Sequence, residues 1–266
     1  LGVQAFSDKL LELIGRNHNL NQAYRAVEDI IKAGFKNFSV DLMYGLPTQT
    51  LSDWEFSLDE ALRIMPNHIS FYGLKIEKGT EFYKLYNESS ADLPNDDMQA
   101  KMYELLIEKL NKNYIHYEFS NFAQKEEYFS KHNTAYWKRE GYFGFGLSAS
   151  GFIKNENNKN KEGKSKRYTN TFNFREYLKN PIKKEYEILT KQNELEEEIF
   201  LGLRLLEGID FEKINRNYNV DIFKKYEKLF NKNISQGLME KTQNGVKLTT
   251  KGILVSNEIL CDFIEI

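Results

Sequence analysis

The amino-acid sequence predicts an α/β protein that begins with parallel βαβ units and ends in a helical domain. From the opening run "LGVQAF" to about residue 77, apolar strand-like runs alternate with segments of helical spacing in the order strand, helix, strand, helix, strand. This alternation is typical of a parallel sheet. From about Leu189 onward helical patterns dominate. Three parallel strands are too few to close a barrel.

The helices of the first part have recognisable ends. Asn21–Ala33 carries apolar residues at helical spacing, and Gly34 follows where a helix would stop. The run "FKNFSVDLMYG" is then predicted as the second strand. Ser52 and Glu55 form a predicted capping box, which would start the next helix.

The middle of the chain is predicted to mix helix and strand. The third strand, "HISFYGLKIE", is followed by a helix over about residues 97–112. Two β-like runs, "YIHYEFSNFA" and "YFGFGLSASGFI", then flank the hexapeptide "HNTAYW". Between Lys154 and Arg167 a polar run of low complexity predicts a solvated loop.

The last third resembles a winged helix, because helices precede the hairpin signal "TQNGVKLT" and a final helix. Winged helices often bind DNA, so a DNA-binding module is one hypothesis. The acidic residues that open this region disfavour it, as does the lack of aromatic residues among the lysines of the preceding loop. Those acidic residues are Glu194, Glu196, Glu197, Glu198 and Glu207.

Composition narrows the range of functions. The chain has 266 residues, a formal net charge of -2 and a sequence pI of about 6.2, so no global positive field attracts nucleic acid. The mean hydropathy is -0.61, and no apolar run is long enough to cross a bilayer. We therefore expect a cytoplasmic protein. The single cysteine, Cys261, allows neither an internal disulfide nor a cysteine metal site, and we expect it to pack in an apolar C-terminal helix.

Three polar residues stand near predicted strand ends. Asp41 lies towards the end of the second strand and Gln4 near the end of the first, where βα folds place groups that contact ligands. A carboxylate there can accept both hydroxyls of a ribose. Arg16 could pair with a ligand carboxylate. On the residues alone, Asp41 could equally cap a loop, and a solvated surface charge is the commoner role for Arg16.

The hexapeptide contains a second candidate site. The imidazole of His132 can ligate iron or zinc, and Tyr136 and Trp137 offer flat apolar faces for a planar ligand. The other histidines are scattered and form no paired-ligand pattern. Spacing alone therefore favours a structural histidine beside a strand.

Several motifs, in this order, resemble radical SAM proteins related to oxygen-independent coproporphyrinogen III oxidase. The resemblance covers essentially the whole chain. It is closest to the heme chaperone branch called HemW, because the HNxxYW box is found in that branch and not in the oxidase proper. The motifs are "LGVQAFSDKLLELIGRNHN", "FKNFSVDLMYGLPTQT", "HISFYGLKIEKGTEFY", "DDMQAKMYELLIEKL", "YEFSNFA", "KHNTAYW", "YFGFGLSASGF" and "EEEIFLGLRLLEGID".

The resemblance implies roles for individual residues. Gln4 and Asp41 would bind the ribose of S-adenosylmethionine (SAM), and Arg16 would contact its methionine carboxylate. His132 would be the heme-iron ligand, with Tyr136 and Trp137 shaping the heme site. No catalytic residue is assigned.

The chain also departs from the family pattern. The family holds a 4Fe-4S cluster with a CxxxCxxC motif, which this sequence lacks. We therefore expect an N-terminally truncated chain, with the cluster in the intact protein only and no radical catalysis by this chain alone. The implied fold is an incomplete radical SAM (β/α)6 partial barrel, a mixed α+β middle segment and a winged-helix-like C-terminal domain, over residues 1–85, 86–185 and 186–266.

The function implied is that of a heme chaperone that binds heme and delivers it to acceptor proteins. The alternative is the coproporphyrinogen III oxidase reaction of porphyrin biosynthesis. A DNA-binding module ranks third, and we expect no nucleic acid partner. The expected partners are heme and heme-accepting proteins. Dimer formation and a peripheral membrane contact stay open, without a transmembrane segment.

Overall fold

The structure is a computed structural model that describes residues 1–86, 90–154 and 165–265. The chain divides into two compact units, Leu1–Phe129 and Ser130–Ile266. This division falls inside the predicted middle segment of residues 86–185. The three-part division of the sequence stays a prediction.

The first unit is built on a five-stranded sheet with the order β1-β2-β3-β5-β4. The first three strands are parallel, and β5 and β4 complete the sheet as an antiparallel hairpin. The predicted βαβ order is therefore confirmed, as is the incomplete barrel. The strands are β1 (Gly2–Gln4), β2 (Ser39–Tyr44), β3 (His68–Gly73), β4 (Ile115–Glu118) and β5 (Asn121–Ala123).

Within the described residues of this unit, five helices connect and cover these strands. They are α1 (Asp8–Leu13), α2 (Leu20–Lys32), α3 (Leu51–Ile64), α4 (Glu81–Leu85) and α5 (Asp96–Leu110), and a 3₁₀ turn spans Glu126–Tyr128. Gly34 follows α2 with a φ of 85°, in agreement with the predicted helix stop. The capping box predicted at Ser52 was wrong. Thr50 caps α3 and exchanges hydrogen bonds with Asp53, because Thr50 is the last extended residue and Ser52 already lies inside the helix.

The core of the first unit lies between the sheet and helices α3 and α5. The fully buried Trp54 donates its indole N–H to the carbonyl oxygen of Met102 at 2.8 Å. Its ring meets Phe71 edge-on at 5.8 Å, and Phe71 meets Phe122 at 5.7 Å in the same way. Because side chains alternate across a strand, this apolar face leaves Asp41 and its neighbours on the opposite face.

The second unit contains two three-stranded sheets. The first has the order β6-β7-β8 and the second β10-β11-β9, and all pairs are antiparallel. Lys166 and Arg167 open β7, so the predicted loop does not extend that far; residues 155–164 of that loop lie outside the described residues. The strands are β6 (Ser150–Ile153), β7 (Lys166–Asn170), β8 (Lys184–Ile188), β9 (Ile209–Asp210), β10 (Met239–Lys241) and β11 (Gly245–Leu248).

Helices surround both sheets of the second unit. They are α6 (Lys131–Trp137), α7 (Phe174–Lys179), α8 (Lys191–Gly202), α9 (Phe211–Tyr218), α10 (Ile222–Lys225), α11 (Glu227–Ser235), α12 (Thr250–Leu254) and α13 (Ser256–Cys261). An aromatic core centred on Phe230 packs against Phe211, Phe223, Tyr226 and Phe263. Helices and a small antiparallel sheet thus form the predicted winged-helix-like end. Cys261 is exposed and not packed as expected, because it lies on the outer side of its short helix.

In the described part of the chain, no helix is long and apolar enough to span a membrane. Within the same residues, no three His, Cys, Asp or Glu side chains are grouped so that they could hold a metal ion.

Candidate functional site

The face of the first sheet opposite Trp54 carries a row of polar side chains. Asp41 pairs with Ser70 in the parallel register of β2 and β3, and Ser70 pairs with Asn121 on β5. Residues directly opposite each other on neighbouring strands share a face of the sheet. Asp41 is half-buried, whereas Ser70 and Asn121 are buried. The strand register therefore places a carboxylate, a hydroxyl and an amide side by side.

Gln4 lies beside Asp41 because β1 pairs with β2. Gly2 is opposite Asp41 and Gln4 opposite Leu42, with an irregular register between them. Gln4 is only 8% exposed and has a φ of 70°, a left-handed conformation that is uncommon for glutamine and is often found at functional sites. The structure thus brings two of the three predicted SAM residues to adjacent strands.

Arg16 is not part of this arrangement. It follows α1 and is exposed. Within the described residues no hydrogen bond or ion pair joins it to Gln4 or Asp41. Its predicted contact with a ligand carboxylate would need the ligand itself to reach it.

A buried histidine, His68, continues the polar row on the same face of β3, two residues before Ser70. The two ring nitrogens of His68 are hydrogen-bonded to Ser39 Oγ at 2.9 Å and to Tyr117 Oη at 2.8 Å. Burial lowers the pKa of His68 to about 4, and the carboxylate of Asp41 opposes this shift only partly. Near neutral pH, His68 is therefore neutral and both its ring nitrogens are hydrogen-bonded, so it joins β3 to Ser39 on β2 and to Tyr117 on β4.

The hexapeptide forms a helix, which the sequence analysis did not predict. Ser130 caps α6 by accepting a hydrogen bond from the backbone N–H of Asn133 at 3.2 Å. His132 and Tyr136 lie one turn apart, with ring centroids 4.8 Å apart and nearly perpendicular planes. The serine before the motif and the four-residue spacing of His132 and Tyr136 were the local signals for this helix.

His132 is exposed, whereas the aromatic residues after it are half-buried. Tyr136 meets the ring of Tyr142 at 4.4 Å. The guanidinium of Arg204 lies 4.4 Å from the centroid of the Trp137 ring, a cation–π arrangement. The helix thus presents an exposed imidazole at the edge of a packed aromatic layer.

A buried ion network lies behind this helix and was also missed. Arg139, with a φ of 51°, donates from Nε to Glu197 at 3.1 Å and from Nη1 to the hydroxyl of Tyr218 at 2.9 Å. Arg167 donates to the other oxygen of Glu197 at 2.5 Å. Arg139 and Glu197 are 58 residues apart, so no local pattern could have paired them.

Comparison with known proteins agrees with these observations. Residues 1–61 match the family model of the Radical SAM superfamily, and residues 189–255 match that of the HemN C-terminal domain. The solved structure of coproporphyrinogen III oxidase (HemN) from Escherichia coli superposes with a TM-score of 0.76 at 18% identity, covering 98% of this chain and 62% of that one. The fold and the matched regions define the class: a radical SAM protein of the HemN type.

Sequence relatives give the narrower assignment. The heme chaperone HemW of Bacillus subtilis is 37% identical over 99% of this chain, and that of Lactococcus lactis is 36% identical over 99%. In each case the match covers 68% of the relative's length. The chain belongs to the HemW family of heme chaperones.

The residues of this chain fit the cofactors of that family unequally. The radical SAM family uses SAM and a 4Fe-4S cluster, and such a cluster needs cysteine thiolates. This sequence has a single cysteine, which lies exposed at the end of α13, so these residues do not fit the cluster. Gln4 and Asp41 suit a ribose, and the exposed His132 suits an iron ligand.

Proposed function

We propose that this protein binds heme as a heme chaperone and that His132 is the axial ligand of the heme iron. The observation that carries the proposal is the exposed imidazole of His132 on α6. No hydrogen bond or ion pair within the described residues engages it, and a neutral imidazole is a common iron ligand.

The side chains that follow His132 supply the apolar contacts that a porphyrin needs. Tyr136 lies directly against the imidazole, at 4.8 Å between ring centroids. Trp137 is held by Arg204, so both rings have defined positions before a ligand arrives. A pre-ordered site binds more tightly because less side-chain entropy is lost on binding.

A second part of the proposal concerns SAM. Gln4 and Asp41 lie at neighbouring strand positions with the polar face of the sheet beside them, and we assign the ribose hydroxyls to Asp41 and Gln4, and the methionine carboxylate to Arg16. Since the single cysteine does not fit the cluster, we derive no radical step for this chain. The heme-accepting proteins would be its partners, and the cytoplasm its location.

Hemin titration tests the heme ligand. The Soret absorbance of the chain is followed as hemin is added to the wild type, to His132→Ala and to Lys131→Ala, an exposed neighbour on the same helix. We expect saturable one-to-one binding in the wild type and in Lys131→Ala, and weaker binding with a shifted Soret band in His132→Ala. Equal spectra and affinities for all three chains would refute the ligand assignment.

SAM binding is tested separately by calorimetry. Asp41→Asn keeps the size of the side chain and removes its charge, and a charged acceptor forms stronger hydrogen bonds than a neutral one. We expect about tenfold weaker SAM binding, with an unchanged melting temperature. Unaltered SAM affinity would contradict the role of Asp41.

The alternative function is the oxidation of coproporphyrinogen III. The structural likeness to HemN, at 18% sequence identity, shows a shared fold and does not extend to the reaction. Rescue of a strain that lacks the oxidase by the intact, cluster-containing protein would favour this alternative over the chaperone.

A further inference from the structure

A cavity of about 280 Å³ lies in the second unit beside the end of α6. The helix packs on α8, and the cavity opens between them and β6. Its walls are mostly flat or branched apolar side chains, which suit one edge of a planar aromatic molecule. These side chains are Tyr136, Trp137, Tyr142, Phe152, Phe200 and Leu201.

Two residues that line this cavity each carry a buried hydrogen-bond donor that has no acceptor within the described part of the chain. Arg139, which is 3% exposed, uses Nε and Nη1 in the ion network, but its Nη2 has no partner within the described residues. The indole Nε1–H of Trp137 is buried and likewise lacks an acceptor there. A buried donor without an acceptor costs free energy, so a ligand that offers acceptor oxygens would be stabilised by both groups.

The charges around the cavity nearly cancel, so a carboxylate would be held there mainly by hydrogen bonds and not by a net positive charge. Arg139 and Arg167 line it together with Glu197 and Glu140, so the formal charges balance. Glu197 already accepts from both arginines. Glu140 is exposed and no ion pair engages it within the described residues. An arriving carboxylate would therefore be attracted by the donors and opposed by Glu140.

A neighbouring cavity has the wrong charge for such a ligand. It measures about 430 Å³ and also borders Trp137. Three carboxylates line it, those of Glu198, Glu207 and Asp210, against the ammonium groups of Lys138 and Lys213. Binding of a ligand carboxylate in this cavity is disfavoured, because like charges repel.

We propose that the smaller cavity is a carboxylate subsite, in which Trp137 Nε1 and Arg139 Nη2 bind a propionate of a porphyrin. Tyr136 connects the two ends of the site, because its ring lines the cavity and also contacts His132 at 4.8 Å. The choice of a porphyrin as ligand rests on the proposed function. The recognition of a carboxylate does not need the iron.

The test uses iron-free protoporphyrin IX and its dimethyl ester, with binding followed by porphyrin fluorescence. Trp137→Phe keeps a smaller aromatic ring on the wall and removes the indole donor. The smaller ring should weaken both ligands alike, whereas the lost donor should weaken the free acid alone, so we expect the preference for the free acid over the diester to fall about three- to tenfold. Equal weakening of both ligands would overturn the subsite, and so would unchanged affinity for the free acid.

A second variant tests the charge at the rim without touching the core. Glu140→Gln removes the opposing carboxylate, and we expect the free acid to bind about twofold more tightly. Glu185→Gln, an exposed change on β8, serves as the matched control and should leave the affinity unaltered. Weaker binding by Glu140→Gln would contradict the proposal.

His132→Ala separates this inference from the proposed function. In this variant iron-free porphyrin should still bind more tightly as the free acid than as the diester, because the imidazole takes no part in recognising the carboxylate. If His132→Ala leaves hemin binding unaltered while the acid and the diester are still distinguished, the iron ligand is wrong and the carboxylate subsite stands. If hemin binding is lost but acid and diester bind alike, the reverse holds.

Discussion

His68 in the first unit and His132 in the second are the same residue type in opposite environments. His68 is 6% exposed and hydrogen-bonded at both ring nitrogens, whereas His132 is exposed and contacts only an aromatic ring among the interactions described. A histidine whose nitrogens are both engaged cannot take a metal without losing hydrogen bonds. Burial therefore decides whether a ring nitrogen is available, and availability distinguishes the candidate ligand from the structural histidine.

The two units also bury polar groups in different ways. The first holds two neutral histidines: burial lowers the pKa of both His68 and His116 to about 4. The second buries charges in pairs, with 2% of the Arg139 side chain and 9% of the Glu197 side chain exposed. Protonation destabilises a buried neutral group, whereas removal of one partner destabilises a buried ion pair. Acid should therefore affect the first unit, and loss of one charged side chain the second.

The largest effect is expected when one partner of the buried pair is removed. Arg139→Ala leaves Glu197 buried with Arg167 as its remaining cation, and we expect unfolding of the second unit to need about 3–5 kcal/mol less free energy. Urea denaturation measures it. Arg216→Ala, which removes only a 3.4 Å bond to a backbone oxygen on an exposed side chain, should change stability by less than about 0.5 kcal/mol. Similar losses in both variants would show that the buried network is unimportant.

Acid should destabilise the first unit by an intermediate amount. Because the folded-state pKa of His68 and His116 lies near 4, below the ordinary value, the unfolded chain binds protons more readily. The stability that the two neutral histidines confer is fully present above about pH 6.5 and is lost as the pH falls towards 4. We expect the free energy of unfolding to fall by about 2 kcal/mol per histidine.

The fluorescence of Trp54 reports this unit once Trp137→Phe has removed the only other tryptophan. Urea midpoints between pH 7.5 and 4.5 in that background should fall with acid. His68→Asn should flatten the dependence, and His132→Asn should leave it unaltered. A dependence that is equally steep in His68→Asn would be evidence against a buried neutral His68.

The smallest effect is expected at the support of β1. Ser57 is 1% exposed; its hydroxyl accepts from the backbone N–H of Phe6 at 3.3 Å and donates to the carbonyl of Asp53 at 3.0 Å. Ser57→Ala removes the acceptor of a buried amide just after Gln4, and we expect a loss of about 1 kcal/mol. Ser52→Ala, on the exposed side of the same helix, should cost less than about 0.5 kcal/mol. A cost at Ser52 as large as at Ser57 would restore Ser52 as a cap.

Much of the fold was predictable because it is encoded locally. The strand that carries Asp41 and the helix that ends before Gly34 both follow from periodicity and from turn residues. The helix of the hexapeptide was not predicted, since seven residues show too few turns for a clear period. The capping residue was misplaced because several residues before α3 can cap a helix, and only the backbone conformation of Thr50 selects one of them.

The sequence alone determined the βαβ order of the first part, the family motifs, the single cysteine and the residues Gln4, Asp41 and His132 as candidates. Local patterns suffice for these, because each depends on residues within about one turn or one strand. The tertiary structure alone decided that Arg16 is not joined to Gln4 or Asp41, that His68 reaches Tyr117 across 49 residues and that Arg139 reaches Glu197 across 58. Burial and long-range pairing depend on how the whole chain packs, so the distinction between a supporting histidine and an available one became visible only in the folded protein.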